Sequence, residues 1–349
     1  MKKHSVLLIG LGRIASLLEK DKLRYHPCTH AGVLFHPFGK KKFALQAILD
    51  TNPQRVKEFV KQWQLAADTL LLDPQSVRKA GLDLAIIASN TGSHYENILF
   101  AIDCGIKHFI IEKPVTMTLP QAIKIQQLQQ KKKLVFWINH ERRYHPVYNK
   151  VKEYLECGKY GRIKTIRASV LTSPLDPEKN YGLENTSPLL HDGTHALDYI
   201  HYLLGMPDSV YSSCRKSDAR LSNFDQTIAL LQYKNGTHVF FEAGGMRNYF
   251  QFEIDIQTEQ ARFILSNDGH FAYLGKKSKL YDKFSSLTPA PGLLKTGAKN
   301  ANPFINLYRE VDDYLAQKSD VITGSLQDNI EIMKMIEDLS MNSKKVITK

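Results

Sequence analysis

The residues best suited to binding a ligand lie in the first fifteen positions. Gly10, Gly12 and Ala15 have the spacing G-x-G-x-x-A, directly after the apolar run Val6–Ile9. Gly10 permits a tight turn, Gly12 lets a phosphate approach the backbone, and Ala15 lets a helix pack closely on the strand. The pattern predicts a dinucleotide-binding turn, because the amino end of the helix that follows attracts phosphate. Its cofactor contacts are expected from Gly10, Gly12, Arg13 and Ile14.

Asp50 is the candidate for the ribose of such a cofactor, at the end of a predicted strand over Phe43–Leu49. A carboxylate there accepts hydrogen bonds from the ribose hydroxyls and repels a 2′-phosphate, which favours NAD over NADP. The usual distance from the glycines is about 20 residues. Asp50 lies nearly twice as far from the glycines. The additional residues fall in 20–42, a segment rich in Pro, His and Lys that is predicted to be an inserted loop. The alternative is that Asp50 only caps the following helix.

Predicted strands and helices alternate from the start of the chain to about residue 140, which is typical of a parallel, doubly wound α/β sheet. The helix after the glycines is predicted at Ile14 to Leu18. The predicted strands are Val6–Ile9, Phe43–Leu49, Leu82–Ala88, His108–Ile111 and Leu134–Ile138.

Beyond residue 140, strand-like segments follow one another without helices between them. Asn235-Gly236 separates two of these segments and predicts a hairpin. A long helix is predicted at Leu189–Leu204, and two more close the chain at about Phe304–Ala316 and Leu326–Asn342. This half therefore predicts an α+β domain with a large, mostly antiparallel sheet.

A chain of 349 residues is expected to form two domains. We expect an NAD(P)-binding Rossmann domain at 1–122 and an α+β domain for substrate binding and oligomerisation at 123–349, with 134–145 crossing between them.

The four cysteines show no CxxC spacing, and neither a signal peptide nor a membrane span is predicted, so a cytoplasmic location is expected. The net charge of +12 favours anionic partners, but nucleic-acid binding finds no supporting motif.

Five motifs together resemble the Gfo/Idh/MocA oxidoreductases, which include glucose–fructose oxidoreductase and inositol dehydrogenase. The resemblance extends over essentially the whole chain. It rests on GLGRIA, ASNTGSH, GIKHFIIEKPVTMTLPQA, NHERRYHP and HDGTHALDYIHYLLG.

The resemblance implies a role for single residues. Lys113, in the Glu-Lys-Pro segment, would lie beside the nicotinamide and the substrate hydroxyl, and the peptide bond before Pro114 is often cis in such proteins. His195 would act as acid or base on the hydroxyl. The cofactor would also be lined by Ser89, Asn90, His94 and Glu112. The substrate would be contacted by Asn139, Arg142, Arg143 and His191.

The carboxylate partner of His195 is open. Many family members place an aspartate four residues before this histidine, whereas here His191 holds that position and Asp192 follows it. Either residue can complete the catalytic set of Lys113 and His195. A carboxylate beside a histidine orients the ring and supports its charged form.

A metal site is the alternative explanation of the same histidines. His191, His195 and Asp198 lie at i, i+4 and i+7, so a helix would place them on one face with a spacing that can bind zinc. The resemblance explains His195 without a metal, so no metal is expected.

The expected activity is hydride transfer between NAD, or less favourably NADP, and a secondary hydroxyl or keto group. The resemblance implies a sugar, a cyclitol or a sugar derivative as substrate, and the basic residues favour an anionic one. It also implies a homodimer or homotetramer formed through the C-terminal sheet. The alternative is a non-catalytic NAD(P)-binding regulator of the same fold. We expect neither nucleic acid nor a membrane as a partner.

Overall fold

The computed structural model describes residues 3–66, 68, 70–172, 187–217, 223–297 and 301–341, and the backbone of 346–347. The chain divides into two compact units, which are Met1–His145 with Asn302–Ile330, and Pro146–Ala301 with Glu331–Lys349. The division falls later than residue 122, and a C-terminal segment returns to the first unit. The assignment of 123–349 to substrate binding and oligomerisation stays a prediction.

The first unit is built on a five-stranded parallel sheet, so the predicted doubly wound α/β fold is confirmed. The strand order is β2-β1-β3-β4-β5, which leaves β1 and β3 adjacent at the centre. Both faces of β3 are buried, as its continuous apolar run predicts. The strands are β1 (His4–Ile9), β2 (Phe43–Leu49), β3 (Leu84–Ile87), β4 (His108–Glu112) and β5 (Val135–Asn139). The helices between them are α1 (His30–Phe35), α2 (Pro37–Lys42), α3 (Pro53–Gln62), α4 (Pro74–Lys79), α5 (Thr91–Asp103) and α6 (Leu119–Lys132).

The connection from β1 to β2 differs from the predicted one. The α-helix expected at Ile14 to Leu18 is wrong, because the backbone forms a turn there and then a 3-10 helix at Leu17–Lys20. The segment 20–42 is not a loop, since it contains α1 and α2. Thr29 caps α1 by accepting a hydrogen bond from Gly32 N at 2.9 Å. Helices of six residues are too short to show an apolar period in the sequence.

A late helix, α9 (Pro303–Leu315), completes the core of the first unit. Asn302 begins it by accepting a hydrogen bond from Ile305 N at 3.0 Å, and its Nδ2 donates to Pro27 O at 2.8 Å. Tyr308 packs edge-on against Phe43, with ring centroids 5.4 Å apart. The helix therefore fastens the segment before α1 as well as the sheet.

The second unit contains a nine-stranded, mostly antiparallel sheet, and this part of the fold prediction is also confirmed. The order is β13-β12-β11-β10-β6-β9-β8-β7-β14, with parallel pairing only between β6 and β9 and between β7 and β14. Gly236, at φ +86°, turns the chain between β8 and β9. The strands are β6 (Ile163–Leu171), β7 (Ser209–Lys216), β8 (Gln226–Gln232), β9 (His238–Gly244), β10 (Gln251–Thr258), β11 (Ala261–Ser266), β12 (Gly269–Lys277), β13 (Ser285–Pro289) and β14 (Val346–Ile347).

Two of the described helices that pack on this sheet lie wholly within the second unit. They are α7 (Pro146–Glu156) and α8 (Thr194–Leu204), and a π-helical turn, Leu189–Gly193, leads into α8. Ala196, Leu197 and Ile200 are fully buried among the sheet's apolar side chains, which fixes the rotation of α8. The last helix of the chain is α10 (Leu326–Met341).

Two structural facts bear on the cellular setting. Across the described ranges, no helix has the length and apolarity needed to cross a bilayer. All four cysteines are free, with Cys157 exposed and the others buried. The cytoplasmic location stays a prediction.

Candidate active site

The glycine turn lies where β1 ends beside β3. Gly10 has φ +86°, and a Cβ on it would lie 2.4 Å from the backbone N and Cα of Ser89. A Cβ on Gly12 would meet no atom within 4 Å. The first glycine is therefore required by packing and the second leaves open space above the backbone. Arg13 is exposed and Ile14 is half-buried beside this space.

Asp50 holds the turn from the end of β2. Its Oδ2 accepts a hydrogen bond from Leu11 N at 2.8 Å, and its Oδ1 accepts one from Asn52 N at 2.8 Å. Asn52 in turn caps α3 by accepting from Gln54 N. Asp50 therefore links the glycine turn to the start of α3, and its contact with a ribose stays a prediction.

His94 joins the ends of two neighbouring strands. Its Nδ1 lies 3.0 Å from Pro114 O, and its Nε2 lies 3.0 Å from Ser89 O. The ring is 1% exposed, and burial lowers the pKa of His94 below its usual value. Nearby, Ser93 Oγ donates to Asn90 Oδ1 at 2.5 Å. Ser89, Asn90 and His94 thus lie together, while their contact with the cofactor stays a prediction.

A buried carboxylate, Glu112, ends β4 one residue before Lys113. Its Oε1 accepts hydrogen bonds from His30 Nε2 at 2.9 Å and from Asn139 Nδ2 at 2.6 Å. His30 Nδ1 lies 2.8 Å from the hydroxyl of Tyr308, which donates to it when Nε2 carries the ring proton. Sequence reasoning missed His30 and Tyr308. The available signal was His30, the one polar side chain of the otherwise apolar α1.

The Glu112 carboxyl is ionised despite its burial. Burial alone raises its pKa, but the hydrogen bonds from His30 and Asn139 and the positive charge of Lys113 outweigh that effect and hold the pKa below its usual value. Lys113 is half-buried, and its peptide bond to Pro114 is cis, as the resemblance implies. An ammonium and a carboxylate therefore interact at the end of β4.

Two of the predicted substrate residues, Asn139 at the end of β5 and Arg143 after it, differ in their hydrogen-bond partners. Asn139 is buried, and its Oδ1 has no hydrogen-bond partner among the described protein atoms. Arg143 is 2% exposed, and its Nη1 donates to Thr323 O at 2.9 Å and to Asp328 Oδ2 at 2.8 Å. Its charge is thus balanced within the first unit. Contacts of either residue with a substrate stay predictions.

Arg142 is buried, with Nη1 3.6 Å from Glu141 Oε1. Two residues before it, His140 Nε2 lies 2.9 Å from Asn329 Nδ2. The other side-chain atom of this asparagine, Oδ1, accepts a hydrogen bond from Val115 N. These contacts tie the segment after β5 to the segment after Pro114. A substrate role for Arg142 stays a prediction.

The second unit contributes the histidine motif. His191 and Asp192 lie in the π-helical turn, with Nδ1 3.0 Å from Oδ1. His195 follows in the first turn of α8 and is half-buried, whereas Asp198 is buried. A Cβ on Gly193 would lie 3.1 Å from the Cβ of Ala243, so close packing on the sheet holds this turn. Asp192 pairs with His191, and the partner of His195 stays open.

The chain matches two family descriptions. Residues 4–140 match the oxidoreductase family with an NAD-binding Rossmann fold, and residues 148–264 match the GFO/IDH/MocA C-terminal domain. Together the two matches cover more than half of the chain.

Relatives with stated activities are remote in sequence. The myo-inositol dehydrogenase Hyg17 of Streptomyces leeuwenhoekii is 22% identical over 56% of this chain and 61% of its own length. The scyllo-inositol 2-dehydrogenase (NADP(+)) IolW of Bacillus subtilis is 19% identical over 75% of this chain and 77% of its own. The structure of the WlbA dehydrogenase from Bordetella pertussis, in complex with NADH and UDP-GlcNAcA, superposes with a TM-score of 0.75 at 16% identity. That superposition covers 98% of this chain and 97% of the WlbA chain and shows a shared fold.

The two glycines of the turn predict different consequences for the same substitution. Gly10→Ala should lower the free energy of unfolding by at least about 2 kcal/mol, because it adds backbone strain and a clash with Ser89. Gly12→Ala should leave that free energy within about 0.5 kcal/mol of the wild type and should weaken NAD binding. Urea denaturation and NAD titration measure the two effects. Equal stability of the two variants would contradict the assigned packing.

His94 predicts a loss of stability in mild acid. Its pKa is lowered in the folded protein, so the unfolded chain takes up the proton first as the pH falls below about 6.5. The free energy of unfolding should therefore decrease below that pH by up to about 1.4 kcal/mol per pH unit. His94→Gln should remove this part of the slope, and the exposed His238→Gln should not. Urea midpoints between pH 5 and 8 test this, and an unchanged slope in His94→Gln would refute it.

Proposed function

The chain belongs to the Gfo/Idh/MocA oxidoreductase family, and we propose that it transfers hydride between NAD and a secondary hydroxyl or keto group of a sugar or cyclitol derivative. Family membership makes it an NAD(P)-dependent oxidoreductase with an NAD-binding Rossmann domain. The substrate class is supported by the activities of its inositol-dehydrogenase relatives. One structural observation carries the proposal: Lys113 and the glycine turn lie at the same edge of the sheet, where the parallel strands β4 and β1 end.

The glycine turn fits a dinucleotide. The open space above Gly12 lets a pyrophosphate approach the backbone, and a side chain at this position would fill that space. Asp50 accepts a hydrogen bond from Leu11 N, which lies between the two glycines of the turn. We propose that this carboxylate also binds the ribose hydroxyls of the cofactor. The bound nicotinamide supplies the hydride acceptor.

Lys113 is proposed to stabilise the oxygen of the reacting hydroxyl. An ammonium next to that oxygen favours the alkoxide that develops as hydride leaves. Glu112, the preceding residue, is ionised and held by His30 and Asn139, and its negative charge interacts favourably with the ammonium of Lys113.

His195 is proposed to take the hydroxyl proton. A neutral imidazole is a base near neutral pH, and the half-buried ring at the start of α8 keeps one side accessible. The His191–Asp192 pair precedes it by one turn and supplies a negative charge that supports the protonated ring.

An anionic substrate is proposed within this class. The predicted site contains the cationic side chains of Lys113, Arg142 and Arg143, of which Arg143 is paired with Asp328 and Arg142 lies 3.6 Å from Glu141. The overall charge of +12 would also attract an anion over longer distances.

Two substitutions test the reaction. Lys113→Ala should reduce turnover by at least about 100-fold, because it removes the charge that stabilises the alkoxide, while NAD affinity stays close to that of the wild type. His195→Ala should flatten the dependence of kcat/KM on pH. The measurement is NAD reduction with a panel of inositols, sugars and sugar acids. The exposed Lys107→Ala and His238→Ala are matched controls and should behave as wild type. Full turnover by Lys113→Ala would reject the assignment, and NAD binding without turnover on any member of the panel would favour the regulator.

We also propose that copies of the chain pair through the open face of the nine-stranded sheet. Tyr211, Leu230 and Phe240 lie side by side on β7, β8 and β9, and Tyr211 and Phe240 are 60% and 50% exposed. Phe271 is equally exposed on β12. Exposed aromatic side chains grouped on one face are typical of a protein interface.

Charge introduced on this face should separate the copies. Phe240→Glu should convert a dimer or tetramer into smaller species, because it would bury an unpaired carboxylate at the interface. Leu23→Glu, at an exposed apolar residue of the first unit, is the control and should leave the assembly unchanged. Sedimentation velocity at micromolar concentration measures both. A monomeric wild type would rule the interface out.

A further inference from the structure

Three potential metal ligands lie close together, one in the 3-10 helix Leu17–Lys20 and two in the segment between that helix and α1. The ligand atoms of Glu19, His26 and Cys28 all lie within 4.8 Å of one another. We propose that they form a zinc site, with a water molecule completing four ligands. No metal was expected from the sequence, and these three residues have no ligand spacing typical of a zinc motif. The site is independent of the proposed hydride transfer.

His26 has the orientation of a metal ligand. Its Nε2 lies 3.0 Å from Asp21 O, so this nitrogen carries the proton and donates to the carbonyl. Its Nδ1 then directs a lone pair at Glu19 Oε1, 3.0 Å away. Two acceptors at this distance need a cation between them, which is either a proton or a metal. Metal-binding histidines usually donate their second nitrogen to a backbone carbonyl or a carboxylate, as His26 does.

Glu19 is held in place from its other oxygen. Its Oε2 accepts hydrogen bonds from Thr29 Oγ1 at 2.7 Å and from Cys28 N at 3.1 Å, which leaves Oε1 directed at His26. A Cβ on Gly32 would lie 2.3 Å from Oε2, so glycine provides the room that this carboxylate occupies. Hydrogen bonds of this kind orient a carboxylate ligand in metal sites.

Cys28 supplies the soft ligand. Its buried Sγ lies 3.7 Å from Glu19 Oε2 and 3.4 Å from Leu18 O. Sulfur, imidazole and carboxylate together favour zinc over magnesium or calcium, which prefer oxygen ligands alone. Zinc binds the thiolate, so binding releases the thiol proton to solvent. The exposed side of His26 leaves a path for the ion and for its water ligand.

A metal here would fasten the start of α1. Thr29 caps that helix and also bonds to Glu19, and His30 follows with its contact to Glu112. The site would thus stabilise the connection between β1 and β2 without touching the reacting groups.

Cobalt spectroscopy tests the site directly. The full chain, prepared without a histidine tag and stripped with a chelator, is titrated with Co²⁺ in the absence of NAD, and Zn²⁺ is then added. The expected result is a thiolate-to-cobalt absorption band that saturates at one ion per chain and disappears when zinc displaces the cobalt. Cys28→Ser should abolish the band, and the matched variant Cys104→Ser, at another buried cysteine, should retain it.

A second variant guards against a folding defect in Cys28→Ser. His26→Gln changes a residue at the surface and should lower zinc affinity at least about tenfold, while its circular dichroism spectrum matches that of the wild type. Absence of the band in the wild type, or its persistence in Cys28→Ser, would overturn the proposal. Because the readout is metal binding, a failure here leaves the hydride-transfer proposal unaffected, and the reverse also holds.

Discussion

The first unit depends on one buried negative charge, the carboxylate of Glu112. Removing an ionised carboxylate from water is strongly unfavourable unless hydrogen bonds compensate for the lost hydration. The compensation comes from His30 on α1 and Asn139 on β5, and Tyr308 on α9 completes the partners of His30. Three elements that are distant in the sequence must therefore pack around the end of β4 before Lys113 can be placed.

This requirement explains the architecture around the site. The long connection between β1 and β2 contains α1, whose first residue, His30, contacts Glu112 at the end of β4. His94 adds a second link at the same edge, joining Ser89 O at the end of β3 to Pro114 O after β4. The glycine turn and Lys113 are consequently parts of one cross-linked edge, although 100 residues separate them in the sequence.

The sequence predicted the features that leave a local pattern. Continuous apolar runs predicted the parallel sheet, and Asn235-Gly236 predicted a hairpin in the antiparallel one. It did not predict the pairing of His30 with Tyr308, since their bond spans 278 positions and neither residue belongs to a motif. The helix expected at Ile14 to Leu18 failed for a local reason. Ser16 N makes a helical i→i−4 bond to Gly12 O, but Leu17 N bonds to the same oxygen and Leu18 N to Arg13 O, both i→i−5, so the regular i→i−4 series does not continue.

Two basic side chains of the candidate site, Arg143 and Lys113, are paired in different ways. Arg143 is neutralised by Asp328, which lies 185 positions away, so its charge stabilises the fold and has little left to attract a substrate. The carboxylate next to Lys113 has other partners, because Glu112 Oε1 also accepts hydrogen bonds from His30 and Asn139. In the proposed reaction, Lys113 favours a second negative charge, that of the developing alkoxide. A motif tells which charges are present, and the pairing of those charges decides which of them can act in the reaction.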